Sequence, residues 1–224
     1  MDMQPLVLMS AKDLVTEKLR EEIYTGNLKP GQELVQEKIS EQLGVSRMPV
    51  REALLLLENA GLVEIQKNKR AIVRAVTPEE VREHLEIRSI LESHAAAKAC
   101  RRAENFDALG ELLAKFQDCP EDDVPHFREL NSQFHFEIWR LAQSPLLERL
   151  LKQLWYAVPS AYPLDPAGNF RRNLQEHTAI LEALRRRDEE AACRTLSAHI
   201  NKTEAIILSR LAGEGRQPGR SQTG

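Results

Sequence analysis

Cysteine is scarce in this chain of 224 residues: Cys100, Cys119 and Cys193 are odd in number, far apart and form no CxxC pair. That argues against a disulfide framework and against cysteine-paired zinc or redox motifs, and it fits free thiols in a reducing cytoplasm. Long apolar runs are also missing. None approaches the roughly 20 residues that span a bilayer, so no membrane partner is expected. Met1 to Met9 lacks the basic start and long apolar core of a secretion signal. There is no internal repeat, no long low-complexity tract, and neither an HExxH nor a GxSxG motif. A surplus of positive charge is lacking too, because the formal net charge is −3, which does not advertise a polyanion binder.

What is present is enough apolar residue, 42%, to pack cores, in a length that suits two modest domains. Positive charge is local. Between Ser46 and Arg74 stand Arg47, Arg51, Lys67, Lys69, Arg70 and Arg74 against only Glu52, Glu58 and Glu64. The densest information lies in Val45 to Leu54. Leu43-Gly44-Val45 supplies a turn, and Ser46 is a good helix N-cap, whose hydroxyl can accept from an orphan backbone N–H. Pro49 falls in the first turn, where its missing N–H matters little. Val45, Val50, Ala53, Leu54 and Leu57 form an apolar stripe. Arg47 and Arg51, four apart, project from one face near the helix start. In a recognition helix that end enters the DNA major groove, where arginine bonds guanine or phosphate. On spacing alone, a capped amphipathic helix with two solvated arginines remains an equal alternative.

The flanking sequence separates these readings. Ser10 caps a first helix to about Thr25, with Leu14, Val15, Leu19 and Ile23 on its apolar face. Gly26 to Gly31 is a stop and a turn. A second helix spans about Val35 to Leu43. After Gly61 the pattern becomes short and β-branched, Leu62 to Gln66 and Ala71 to Val76, around the polar Lys67-Asn68-Lys69-Arg70. That is a hairpin. Three helices and a hairpin make a winged helix-turn-helix whose basic tip suits phosphate or the minor groove.

At this point the chain resembles the GntR family of bacterial transcription regulators. The matching residues are Leu19-Arg20, Ile23, Gly26, Pro30-Gly31, Leu34, Leu43 to Arg47, Pro49 to Leu54, Leu57 and Gly61-Leu62-Val63. The resemblance covers residues 10–76. It implies a homodimer on pseudo-palindromic double-stranded operator DNA, with a small molecule on the C-terminal domain changing that binding. It also implies that Arg47 and Arg51 are the main DNA-contacting arginines, that Ser46 touches phosphate and that Met48 faces bases; Lys67, Asn68, Lys69 and Arg70 are the wing candidates. Two departures stand out. The wing tip of the family carries a glycine near Arg70, and a DNA-contacting basic residue on the second helix of some members is here Glu37.

Thr77-Pro78-Glu79-Glu80 opens a new helix, with Thr77 at N-cap, Pro78 at N1 and Glu80 completing a capping box. This places the domain boundary at Val76/Thr77. Helical patterns follow over about 78–100, 105–119, 124–142, 146–158, 170–187 and 188–211, with a proline-rich loop from Pro159 to Gly168. The expected fold is mostly α: an N-terminal winged helix-turn-helix with a small β-hairpin over 1–76, an all-α bundle over 77–213 and a disordered tail over 214–224. The bundle resembles the FCD-type ligand-binding domain of the FadR subfamily, through Glu86-Ile87-Arg88, Leu91-Glu92, Asn131 to His135, Ser144 to Leu147, Glu176-His177, Ile180, Ala183-Leu184 and Ala198-His199.

His135, His177 and His199 face inward on three helices, and a buried imidazole must find a hydrogen-bond partner or a metal. From the residues alone, three separately satisfied core histidines explain the pattern better than one metal site does. The resemblance implies a divalent cation held by three histidines and an aspartate, with Asn131 standing here at the aspartate position and lowering occupancy. Three imidazoles suit zinc or nickel. Arg88 is a candidate clamp for the carboxylate of a small effector, with an ion-paired or solvated arginine as its alternative. His84, His94 and His126 read as surface or packing residues, Trp139 and Trp155 as core or pocket lining, and Arg185-Arg186-Arg187 as a helix C-terminal cap. The expected function is a cytoplasmic, ligand-responsive regulator, a repressor and not an enzyme. The competing readings are a metal-dependent hydrolase with a DNA-binding appendage and an architectural DNA-binding protein that senses nothing.

Overall fold

The computed structural model describes residues 10–24, 26–155 and 166–214, without the side chains of Tyr24, residues 166–169, Arg210, Gly213 and Glu214. The reading of Met1 to Met9, most of the proline-rich loop and residues 215–224 of the expected tail lie outside them. The chain divides into two compact units, one ending at Val76 and one beginning at Thr77.

In the first unit, α1 (Ala11–Tyr24) is followed by β1 (Glu33–Leu34), α2 (Gln36–Leu43), α3 (Arg47–Asn59), β2 (Val63–Ile65) and β3 (Ala71–Val73). Ser10 caps α1 as expected: its hydroxyl accepts from Asp13 N–H at 3.2 Å. Gly44, at φ 64°, closes α2 in the left-handed region that glycine enters without steric penalty. Ser46 does sit at the N-cap of α3, but its side chain makes no capping bond. Its hydroxyl is left on an exposed position instead of tied to the helix.

The hairpin is part of a three-stranded antiparallel sheet, order β1-β3-β2. The extra strand corrects the two-strand expectation. It is only two residues long, too short for any alternation to register, and is held by Leu34 burying opposite Ala71. Val63 pairs with Val73 and Ile65 with Ala71 across the hairpin. The core joins Val15, Leu19 and Ile23 of α1 to Val50, Ala53, Leu54 and Leu57 of α3 and to Val63, Ala71 and Val73 of the sheet.

Among the described residues the second unit holds six helices: α4 (Pro78–Arg102), α5 (Asp107–Asp118), α6 (Val124–Leu141), α7 (Pro145–Trp155), α8 (Pro166–Arg185) and α9 (Glu189–Glu214). The expected capping box is formed, with Thr77 Oγ1 accepting from Glu80 N–H at 3.2 Å and Glu80 Oε2 from Thr77 N–H at 2.9 Å. Helix α8 begins at Pro166, four residues before the expected start, because proline at a first helical turn gives up no intrahelical bond. Asp188 caps α9 through Ala191 N–H at 2.9 Å. Arg187 caps a different helix end from the one expected. Its guanidinium donates to the carbonyls of Cys100 and Ala103 at 2.6 and 2.7 Å, closing α4. Helix α4 packs along α9 and against α6 and α7, while α8 packs on α9 and α5. A cluster of Phe116, Phe127, Leu130 and Phe170 joins α5, α6 and α8.

Candidate nucleic-acid interface and candidate metal centre

The helix-turn-helix consists of α2, the Gly44-Val45-Ser46 turn and α3. The apolar stripe of α3 is fully buried at Val50, Ala53, Leu54 and Leu57, so burial decides which face remains outside. That face carries Ser46, Arg47, Met48 and Arg51, all exposed. Arg47 is not free, because its guanidinium pairs with Glu37 of α2. The wing tip, Lys67, Asn68, Lys69 and Arg70, is exposed throughout. Its turn is closed by Gln66 N–H to Arg70 O and Lys69 N–H to Gln66 O, both 2.8 Å, with Asn68 Oδ1 accepting from Arg70 N–H at 3.1 Å. The residue in the left-handed region is Lys69, at φ 64°, so the missing glycine is felt there. Arg70 Nε lies 3.5 Å from Glu33 Oε1.

In the second unit, His135 of α6, His177 of α8 and His199 of α9 come together, with one ring nitrogen from each within 4.8 Å of the others. All three are buried. Two are held from behind by carboxylates. Glu92 Oε2 of α4 lies 2.6 Å from His135 Nδ1, and Glu176 Oε2 of α8 lies 2.7 Å from His199 Nδ1. A proton on each Nδ1, donated to its carboxylate, leaves both Nε2 atoms as lone pairs. These Nε2 atoms face one another at 3.3 Å. His177 is stacked on Phe134 with ring centroids 4.2 Å apart, and neither of its nitrogens has a hydrogen-bond partner among the described residues.

The electrostatics follow from this burial. Desolvation pushes His177 well below the usual imidazole range, and the neighbouring His199 and His135 push it further. Desolvation also lowers His135, against the pull of Glu92. Burial pushes the Glu92 carboxyl up, but Arg88 and His135 outweigh it and hold it at about 2. Glu176 is likewise lowered, with burial opposed by His199 and Lys202. Three buried imidazoles, each offering one ring nitrogen within 4.8 Å of the others and two of them backed by carboxylates, are a donor set that could hold a divalent cation. Among the described residues the His177 imidazole has no hydrogen-bond partner to offset its burial.

Arg88 stands one residue pair away. Its Nε and Nη2 donate to Glu92 Oε1 at 2.9 and 2.6 Å, and its guanidinium lies 4.3 Å over the Trp155 ring. Trp139 Nε1 donates to Glu92 Oε2 at 3.4 Å. Asn131 is on α6, one turn before His135, and is partly exposed. Sequence reasoning missed the roles of Glu92 and Glu176. A signal for Glu92 was available: it falls in the row Leu85, Ser89, Glu92, Ala96, the buried stripe of α4. A carboxylate there must have buried partners. Glu176 carried no comparable mark. It adjoins His177 but serves His199 and Lys202, so neither carboxylate at the cluster stands free as a general base.

Comparison with known proteins gives matches over both units. Residues 11–73 match the model for bacterial regulatory proteins of the gntR family, and residues 83–202 match the FCD domain. The HTH-type transcriptional regulator McbR of Escherichia coli K12 is 31% identical over 201 residues, covering 87% of this chain and 90% of that protein. The HTH-type transcriptional repressor RspR of the same organism is 25% identical, covering 84% and 85%. A solved structure of E. coli McbR/YncC superposes with a TM-score of 0.78 at 29% identity, over 92% of this chain and all of that one.

Proposed function

The chain belongs to the GntR family of bacterial regulators and carries an FCD domain, and from this we propose that it is a metal-dependent, effector-responsive repressor. DNA binding and transcription regulation come with the family. Arg47 and Arg51 read base edges or phosphates, Met48 faces bases, Ser46 touches phosphate, and the wing residues Lys67 to Arg70 contact backbone or minor groove. The reading as a homodimer on a pseudo-palindrome, with recognition helices one DNA turn apart, is supported by the exposed aliphatic side chains Ile87 and Ile90 of α4 and Leu146 and Leu150 of α7. A second copy would cover them. The repressor role is supported by the likeness to RspR.

The observation that carries the sensing half is the orphaned His177 beside the facing Nε2 atoms of His135 and His199. His135, His177 and His199 would hold zinc or nickel, with Asn131 as a neutral fourth donor. A bound ion would supply open coordination positions for the carboxylate of a small organic acid. Glu92 and Glu176 keep the His135 and His199 rings in the tautomer that offers Nε2 inward. Arg88 uses two N–H donors on Glu92 and has others left for the effector carboxylate. Effector binding then favours one of two dimer states that differ in operator affinity.

The test is metal analysis of the purified protein, followed by operator binding with and without chelator across a panel of small carboxylic acids. We expect bound zinc or nickel and an acid that changes operator affinity only in metal-loaded protein. His177→Ala should keep operator affinity and lose that response. A response that survives the substitution overturns the metal role.

A further inference from the structure

We propose that Glu37 and Glu33 are phosphate stand-ins built into the DNA-binding face, which hold Arg47 and Arg70 when no operator is bound and thereby sharpen discrimination against unrelated DNA. This rests on the reading of α3 and the wing as the surface that meets DNA. Glu37, in the first turn of α2, pairs with Arg47, the first residue of α3. Glu33, on β1, places Oε1 3.5 Å from Nε of Arg70 at the wing tip. The two acids are four residues apart across the β1–α2 junction. Each reaches a different arm of the interface, and each takes a basic side chain assigned to DNA.

Both pairs are solvent-exposed. No burial enforces them, and such pairs exchange readily. On unrelated duplex DNA, Arg47 finds only phosphate, an anion of the kind it already has in Glu37. Leaving Glu37 gains little, and the carboxylate stays behind to repel the nearest phosphates. At an operator, a guanine offers O6 and N7 in the plane of the guanidinium, a bidentate contact a carboxylate on α2 does not replace. The acids therefore subtract more from non-specific binding than from specific binding. They also lower the number of phosphates neutralised non-specifically, which sets the salt dependence.

The experiment uses the full chain and two fluorescent duplexes. One has arbitrary sequence. The other is the sequence that the wild-type protein enriches from a random pool. Binding is measured by anisotropy between 50 and 200 mM salt. For Glu37→Gln we expect affinity for the arbitrary duplex to rise up to about fivefold, and its log–log salt slope to steepen by about 0.9, one phosphate's worth. Operator affinity should rise less, so the specificity ratio falls. Glu33→Gln should act in the same direction and less strongly. Glu41→Gln, on the same helix, removes the same formal charge and should change the slope little. Matching far-ultraviolet circular dichroism checks that each variant is folded. An unchanged arbitrary-duplex affinity and slope in Glu37→Gln overturns the inference, as does an equal effect from Glu41→Gln. If the wild-type protein enriches no sequence, the DNA-binding reading beneath it falls instead.

Discussion

Each unit contains an arginine–glutamate pair, and the two pairs sit in opposite environments. In the first, Arg47–Glu37, the side chains are 63% and 60% exposed. In the second, Arg88–Glu92, they are 13% and 0% exposed. Water screens the first pair, so it is worth about 0–1 kcal/mol and can open for a ligand. The second has been removed from water, and its members depend on each other and on His135. The same two residue types thus make a releasable contact on a surface for a polyanion and a fixed strut behind a cluster of metal-type donors.

The largest expected effect tests the strut. Glu92→Ala leaves the Arg88 charge and the His135 Nδ1 without their acceptor, and should destabilise the second unit by about 3–5 kcal/mol. Urea unfolding followed by tryptophan fluorescence reads this unit alone, because Trp139 and Trp155 are the protein's two tryptophans. A loss below about 1 kcal/mol would put the buried pair on the same footing as the surface one. Next is the surface itself. Arg51→Ala should weaken operator binding by about 1–3 kcal/mol while the unfolding midpoint stays where it was. Unchanged binding would sink the assigned docking of α3.

Acid should then distinguish the interiors. His84 is held at about 4 by burial and by Arg88, and His135 and His177 are lowered as well. A histidine neutral in the fold but protonated in the unfolded chain adds stability that is complete above about pH 6.5 and falls as pH drops toward the folded value. Glu92, at about 2, keeps its contribution until pH falls below the usual carboxylate range. Between pH 6.5 and 5 the histidines act alone, and chelator-treated protein should lose about 2 kcal/mol from His84 itself. A flat profile in that window would mean these imidazoles reach protons while folded. The smallest effect has the opposite sign. His177→Leu in metal-free protein removes an unsatisfied buried imidazole, so the fold should gain about 1 kcal/mol or be unchanged. A clear loss of stability would make His177 an ordinary packing residue.

The winged helix-turn-helix was legible because its signals are local. Gly44, Ser46 and Pro49 punctuate one turn, and Val50, Ala53, Leu54 and Leu57 show which side of α3 goes inward, leaving Arg47 and Arg51 outside. The capping box at Thr77 and Glu80 marked the start of α4 in the same way. Strand β1 was not legible: two residues cannot express a period of two, and Leu34 becomes a strand residue only because β3 is beside it. Nor was the exchange at the wing, where the strained residue is Lys69 and not its neighbour Arg70.

The histidines divide the same way. Helical spacing alone turned His135, His177 and His199 inward, since an apolar stripe has one direction available to it. Their meeting, the carboxylates behind them and the solitude of His177 came from packing. Glu92 reaches His135 across 43 residues, and Glu176 reaches His199 across 23. Burial and pairing over such separations depend on how helices cross, which no local pattern encodes. Residue types and periodicity settled the elements and their outward faces, while tertiary contacts decided which charges are held apart from water and which are left to exchange with it.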